Sequence, residues 1–223
     1  MEINRDSKRI LLKELRTEQI PQTDMYGMRL FPPNSIKTIL DLGANCGFYT
    51  VPFRFLQPNA RIVAIEPDKN TFNLLTRNVS NLEVETYNVA LGSGEEVSKG
   101  KGKFSVTHMY LPNMDGTEKC QSFSLDKIIE KYQMDCDKLF IKIDTEGAEC
   151  SIFNHLPSED VIRKSIGTSL EVHNRICRTF DVGQTIQWAK DRFSETHNIH
   201  HYSRNRTAVH LSVFSKSVVL LGS

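Results

Sequence analysis

Asp41-Leu42-Gly43-Ala44-Asn45-Cys46-Gly47-Phe48-Tyr49 decides how this chain folds. It ends an apolar run, Ile36 to Leu42, and opens a stretch, Phe48 to Leu56, that reads as a helix. A strand ending in a glycine turn that feeds a helix is the opening unit of an α/β sheet. Gly43 can take backbone shapes closed to other residues and lets a ligand approach the main chain. Free amides at the helix start attract an anion. Pro52 is accepted in the first turn if Thr50 is the N-cap.

The same rhythm continues along the chain. Arg61 to Glu66 reads as a second strand, and Asp68 to Val79 as a helix with Phe72, Leu75 and Val79 on one face. Glu83 to Val89 is a third strand. Between 91 and 120 the pattern dissolves among Gly92, Gly94, Gly100, Gly102 and Gly116, which predicts a loop-rich insertion with one strand at Lys103 to Thr107. Order resumes with a helix from Ser124, a strand Leu139 to Asp144, a helix Ala148 to Leu156 and a strand Ile166 to His173. A helix from about Val182 to Phe193 and strands Asn198 to Ser203 and Ala208 to Phe214 complete the series. Such alternation predicts a parallel sheet covered on both faces, and the short turn between the last two strands predicts an antiparallel hairpin. Residues 1–35, with an amphipathic pattern at 7–16 and breaks at Pro21 and Pro32-Pro33, read as an N-terminal helical cap on a main domain spanning 36–223.

The 223 residues, 39% hydrophobic and 25% charged, suit one soluble domain. A net charge of +1 argues against a surface built to grip nucleic acid. Tyr202-Ser203-Arg204-Asn205-Arg206 is a local basic stretch that reads better as a solvated turn. The polar N-terminus lacks the apolar core of a signal peptide, and no apolar run approaches the ~20 residues of a membrane span, so the expected location is cytoplasmic. Five cysteines, none spaced C-x-x-C, signal neither a disulfide framework nor a zinc site, and idle thiols are expected. Nothing specifies an oligomeric state.

Asp41, at its strand's end, can accept a hydrogen bond from a ligand ammonium, while the amides beyond it suit a carboxylate. A ligand carrying both groups is an amino acid, and the methionine half of S-adenosylmethionine fits. Glu66 closes the second strand 19 positions after Gly47, where an acid binds ribose hydroxyls in nucleotide folds. Asn88-Val89-Ala90, after the third strand, would border the adenine. The spacing is G-x-x-x-G and lacks both the second glycine of G-x-G-x-x-G and a Walker lysine, which disfavours NAD, FAD and phosphate-cradling loops. A plain strand–helix turn also accounts for the glycines; Glu66 argues against it. The expected cofactor-binding set is Asp41, Gly43, Ala44, Asn45, Gly47, Phe48, Tyr49, Thr50, Glu66, Pro67, Asn88, Ala90 and Asp144.

Three segments together resemble the FkbM-type methyltransferases: Thr38 to Thr50, Val63-Ala64-Ile65-Glu66-Pro67-Asp68, and Leu139-Phe140-Ile141-Lys142-Ile143-Asp144-Thr145-Glu146-Gly147-Ala148-Glu149. The first two mark a generic class I methyltransferase, and the third is the distinguishing one. Ser124-Leu125-Asp126 and Leu170-Glu171-Val172-His173 also match, so the resemblance covers about residues 36–175. It implies a Rossmann-like α/β fold with a mostly parallel seven-stranded sheet of order 3-2-1-4-5-7-6. It also implies S-adenosylmethionine as methyl donor, and an acceptor hydroxyl on a sugar or secondary metabolite. Cys46 stands at a loop position where a variable, often aliphatic residue is expected.

A hydroxyl acceptor benefits from a base that takes its proton. Ligands of open α/β sheets sit beyond the carboxyl ends of the strands. Asp144 ends one strand, Glu146 follows it, and Glu171 and His173 share a face of the next. The four are therefore expected around one cleft, with His173 or Asp144 as general base and Glu171 orienting its partner. Asp144 has an alternative role as a cap for the helix expected near Gly147. Three oxygen ligands and a histidine also suit Mg²⁺, although no dedicated metal spacing signals it. Lys142, inside an apolar strand, needs a carboxylate partner. His108, Met109 and Tyr110 are candidate lid residues, and Ile186, Trp188 and Phe193 a packing face. Rival readings are a nicotinamide dehydrogenase, a nucleoside-binding module without turnover, and a methyltransferase acting on protein or nucleic acid. The last lacks an Asn/Asp-Pro-Pro-Tyr/Phe motif.

Overall fold

A computed structural model describes residues 26–100, 110–112, 116–174, 176, 180–205, 208–218 and 220–221. The helix expected at 7–16, the strand expected at 103–107, and His108 and Met109 lie outside them. Short apolar runs bounded by turns become strands buried along their length: β1 (Thr38–Leu42), β2 (Arg61–Ile65), β8 (Leu139–Ile143) and β9 (Gly167–Val172). With β3 (Val84–Tyr87), β10 (His197–Asn205) and β11 (Ala208–Ser215) they form a seven-stranded sheet ordered β10-β11-β9-β8-β1-β2-β3. Counted within that sheet, this is the order 3-2-1-4-5-7-6. All pairings are parallel except those of β11, which runs antiparallel to both β9 and β10.

Alternation along the strands splits the core in two. Ile39, Ile62 and Phe140 point to one face, where they pack on Phe53 of helix α1 (Thr50–Leu56) and on Tyr26, Met28 and Phe31 of the preceding segment. Leu40, Val63 and Ile141 point to the other. There they meet α3 (Leu125–Lys131), α4 (Leu156–Lys164) and α5 (Val182–Phe193). Trp188 and Phe193 are buried in this layer as the expected packing face, with Trp188 edge-on to Phe153. Helix α2 (Lys69–Asn78) is capped by Asp68, whose carboxylate accepts from Thr71 N at 2.8 Å.

Three expectations are corrected. The insertion is not simply loop: β4 (Ala90–Leu91), β5 (Glu96–Lys99), β6 (Tyr110–Leu111) and β7 (Lys119–Phe123) form a four-stranded accessory sheet. These strands are short and glycine-punctuated, so periodicity could not show them. The helix expected from Ala148 is a single 3-10 turn, Ala148–Ser151, and α4 starts only at Leu156, with Pro157 in its first turn. Asn154 at φ 60° breaks the two apart. Cys150 is disulfide-bonded rather than an idle thiol, while Cys46, Cys120 and Cys136 are free; spacing rules see only local pairs. No helix among the described residues is long and apolar enough to cross a membrane.

Candidate active site

β1 and β8 run in register, Leu42 beside Ile143, so their next residues, Gly43 and Asp144, meet at the sheet's carboxyl edge. Gly43 sits at φ 72°, and a Cβ there would lie 1.8 Å from the Asp144 carbonyl oxygen. Two demands, a left-handed backbone and no side chain, thus fall on one residue. The turn is stitched to the neighbouring strand by the Gly43 and Ala44 amides, which donate to Ile65 O at 3.0 and 2.9 Å.

Glu66 follows β2. Its carboxylate accepts from Asn45 N and Asp68 N, both at 2.9 Å. Burial is the strongest influence on it and outweighs those two amides, so its pKa is pushed up to about 7. Asn88 Nδ2 donates to the Glu66 and Pro67 carbonyls at 2.9 and 2.8 Å, which sets the backbone that presents the acid.

These elements bound a cavity of about 310 Å³. Of the expected donor-site residues, Gly43, Ala44, Asn45, Phe48, Tyr49, Glu66, Pro67, Ala90 and Asp144 line it. Gly47, Thr50 and Asn88 sit behind the wall. Thr71, Leu91, Tyr110, Lys142, Thr145 and Ala148 also line it and were not in that set; so does Cys46.

Asp41 is fully buried and does not line the cavity, so the expected contact with a ligand ammonium is corrected. It accepts from Thr50 Oγ1 at 2.6 Å and lies 3.0 Å from Lys142 Nζ. Thr50 likewise does not cap α1; Tyr49 holds the N-cap position with no side-chain bond. Lys142 is directly across from Asp41 in the β1–β8 register, which supplies the partner that an apolar strand context demanded. Its ammonium also donates to Gly43 O at 2.7 Å, supporting the turn from below. Burial favours the neutral amine, but Asp41 and Asp144 outweigh it and hold the pKa above its ordinary value.

Asp144 and Glu146 also line the cavity. Tyr26 Oη donates to Asp144 Oδ2 at 2.9 Å, so Asp144 is oriented by a tyrosine from the preceding segment and is not a helix cap. Glu146 sits at φ 52°, a backbone conformation rare for a non-glycine residue and frequent at functional sites. His173 follows β9 with Nε2 3.4 Å from Glu146 and 4.0 Å from both Asp144 and Glu171. The four expected catalytic residues are thus brought together. Glu171 also lies 3.1 Å from the buried His210.

Sequence reasoning passed over Glu149. It is fully buried, and one carboxylate oxygen accepts from His173 N at 2.7 Å and from Nδ1 at 2.9 Å. The other accepts from Gly147 N and Thr145 Oγ1 at 2.8 and 2.9 Å. That carboxylate staples the turn after β8 to the end of β9. Gly147 at φ 108° makes the turn tight enough to allow it. Two acids three residues apart in Glu146-Gly147-Ala148-Glu149 were the available signal, but only the fold shows that one faces inward.

Burial is the largest influence on His173 and favours the neutral ring, yet the Glu149 hydrogen bond and the Glu149, Glu146 and Asp144 charges outweigh it. The pKa rises to about 9. The ring is an imidazolium at neutral pH, which does not suit the general base expected of it. Because the folded pKa lies above the unfolded one, its stabilisation is fully present below about pH 6.5 and is lost as pH rises through about 9. Urea unfolding across that window should show stability falling with pH, and Glu149→Gln should flatten the fall. An unchanged slope would show that Glu149 does not hold the charge.

Asp144, Glu146 and His173 each offer one ligand atom, all within 4.8 Å of one another. In the protonated state the imidazolium itself supplies the positive charge among these carboxylates.

A glycine turn after the first strand, an acid closing the second, a cavity over their carboxyl ends and the order 3-2-1-4-5-7-6 together define the class I methyltransferase fold. The chain belongs to the FkbM methyltransferase-domain family, whose model matches residues 41–199. It is 24% identical over 164 residues to Methyltransferase 1 of Beauveria bassiana (strain ARSEF 2860). That match covers 60% of this chain and 63% of the relative, so the chain spans less than two thirds of it. Among solved structures, a putative rRNA-methylase from Clostridium thermocellum superposes with a TM-score of 0.51 at 10% identity, covering 84% of this chain and 90% of the other. Methanococcus jannaschii fibrillarin gives 0.51 at 9% identity, covering 84% and 70%. These likenesses show the fold alone. Fold and family imply S-adenosylmethionine as the methyl donor.

Proposed function

We propose that this chain transfers a methyl group from S-adenosylmethionine to a hydroxyl of a small-molecule or glycan acceptor, such as a sugar or secondary metabolite. The observation that carries the reading is one cavity lined by two chemically distinct sets of groups. Glu66 and the Asn45 turn suit the donor's nucleoside, and Asp144 and Glu146 suit an acceptor proton. When bound, S-adenosylmethionine supplies an electrophilic methyl group. The chain's residues do the rest. Glu66 offers lone pairs to ribose hydroxyls, and the backbone about Gly43 admits the ligand's amino-acid tail. Glu146, with a pKa raised first by burial and eased by His173, accepts the acceptor's proton. His173 stays charged and keeps the carboxylates in place. A carboxylate-rich acceptor end also repels phosphorylated and nucleic-acid acceptors.

Calorimetry with S-adenosylhomocysteine is the first test, and absence of binding by folded protein would overturn the reading. Methyl transfer to a panel of hydroxylated acceptors is the second. Glu146→Gln should then lower turnover by about 10²–10⁴-fold while product affinity holds. Binding without transfer to any acceptor would favour the nucleoside-binding module instead. Turnover that persists in chelator would remove Mg²⁺ from the reaction.

A further inference from the structure

Polarity changes along one face of the main sheet. Phe140, Gly167 and Phe214 are register neighbours on β8, β9 and β11 and pack against Phe31 in the apolar layer. Side chains two residues apart on a strand share a face. Two residues along β9, Ser169 faces Ser212 with their hydroxyl oxygens 3.0 Å apart, beside Lys142. Two further on, next to the carboxyl edge, Glu171 faces His210. Both are buried, and His210 Nε2 lies 3.1 Å from Glu171 Oε2. A well-packed apolar pair in such a place is often at least as stable, so stability alone does not account for this one.

Two arms run from His210 to the carboxylates that line the cavity. In the first, the imidazole stands edge-on to the Tyr26 ring at 5.8 Å between centroids, and Tyr26 Oη donates to Asp144 Oδ2 at 2.9 Å. In the second, the other oxygen of Glu171 lies 4.0 Å from His173 Nε2, and that nitrogen lies 3.4 Å from Glu146. Asp144 and Glu146 line the cavity, whereas His210, Glu171 and Tyr26 stand behind it.

We infer that His210 is a positioning residue, the point on which both arms meet, and that it fixes Asp144 and Glu146 relative to each other. Its ring nitrogen holds Glu171 beside His173, and its ring face holds the tyrosine that orients Asp144. It touches neither donor nor acceptor and acts only through these neighbours. The last strand of the sheet, outside the motif segments, thereby takes part in the geometry of proton removal.

This inference rests on the proposed acceptor reading, and ring-nitrogen NMR of the histidines, which needs no acceptor, separates the two. His210→Phe keeps a ring against Tyr26 and removes the nitrogen beside Glu171. It should shift the His173 ring signals, although the two rings belong to different strands, and the same substitution in a Glu171→Gln background should shift them no further. With an acceptor that is turned over, His210→Phe should lower kcat by about 10–10²-fold while KM and S-adenosylhomocysteine affinity hold. His210→Gln retains an amide donor and should recover most of that loss. Unmoved His173 signals in His210→Phe would overturn the inference, and so would shifts that persist undiminished in the Glu171→Gln background. If His210→Phe does not fold, Glu171→Gln alone decides: it should move the ring signals of His173 and His210 together, and movement of only one would overturn the bridge. Wild-type protein that methylates no acceptor would overturn the acceptor reading, while the spectra still decide whether His210 holds Glu171.

Discussion

Lys142→Met should cost about 3–5 kcal/mol of stability, as expected when one member of a buried ion pair is removed. Asp41 is fully buried, and Lys142 is its charged partner at 3.0 Å. Without the ammonium, the carboxylate keeps, among the described residues, only the Thr50 hydroxyl and must be protonated or strained to remain inside. The Gly43 carbonyl loses its donor as well, so the donor turn should loosen together with the core. Urea unfolding measures the loss. Pairing Lys142→Met with Asp41→Asn should recover most of it, because the penalty comes from the orphaned charge more than from the pair's own attraction. A Lys142→Met protein within about 0.5 kcal/mol of wild type, where ordinary surface substitutions fall, would show that the pair does not hold the turn.

Gly43→Ala should abolish donor binding. The left-handed backbone alone costs an alanine ~1–3 kcal/mol, and the added methyl would lie 1.8 Å from the Asp144 carbonyl oxygen. That neighbour is backbone and has no side-chain torsion to relieve the clash. The β1 turn must move away from β8, which displaces Ala44 and Asn45 from Ile65 and Glu66. Calorimetry with S-adenosylhomocysteine should detect no heat, while circular dichroism shows helices and strands retained. Gly94 is the contrasting position: it also has positive φ, but a Cβ added there would meet nothing within 4 Å. Gly94→Ala should leave donor affinity unchanged. A Gly43→Ala protein that binds like wild type would remove the close approach from the account of the site.

Local pattern determined much of this protein. Apolar runs with turns between them carried the main sheet's strands and their alternation with helices, because burial periodicity is written into neighbouring residues. The three motif segments placed Gly43, Glu66 and Asp144 at strand ends, since a strand's end is a local property. Tertiary structure decided who meets whom. Asp41 belongs to Lys142, 101 positions away, only because β1 and β8 lie side by side in register. Glu149 rather than Glu146 is the buried acid because a 3-10 turn, not a helix, follows Gly147. His173 looks like a base in isolation and becomes an imidazolium because carboxylates from two strand ends converge on it. Tyr110 reaches the cavity wall through an accessory sheet whose strands are too short to register as a period. Charge state and pocket membership depend on groups far apart in the chain, and no spacing rule within a motif can reach them.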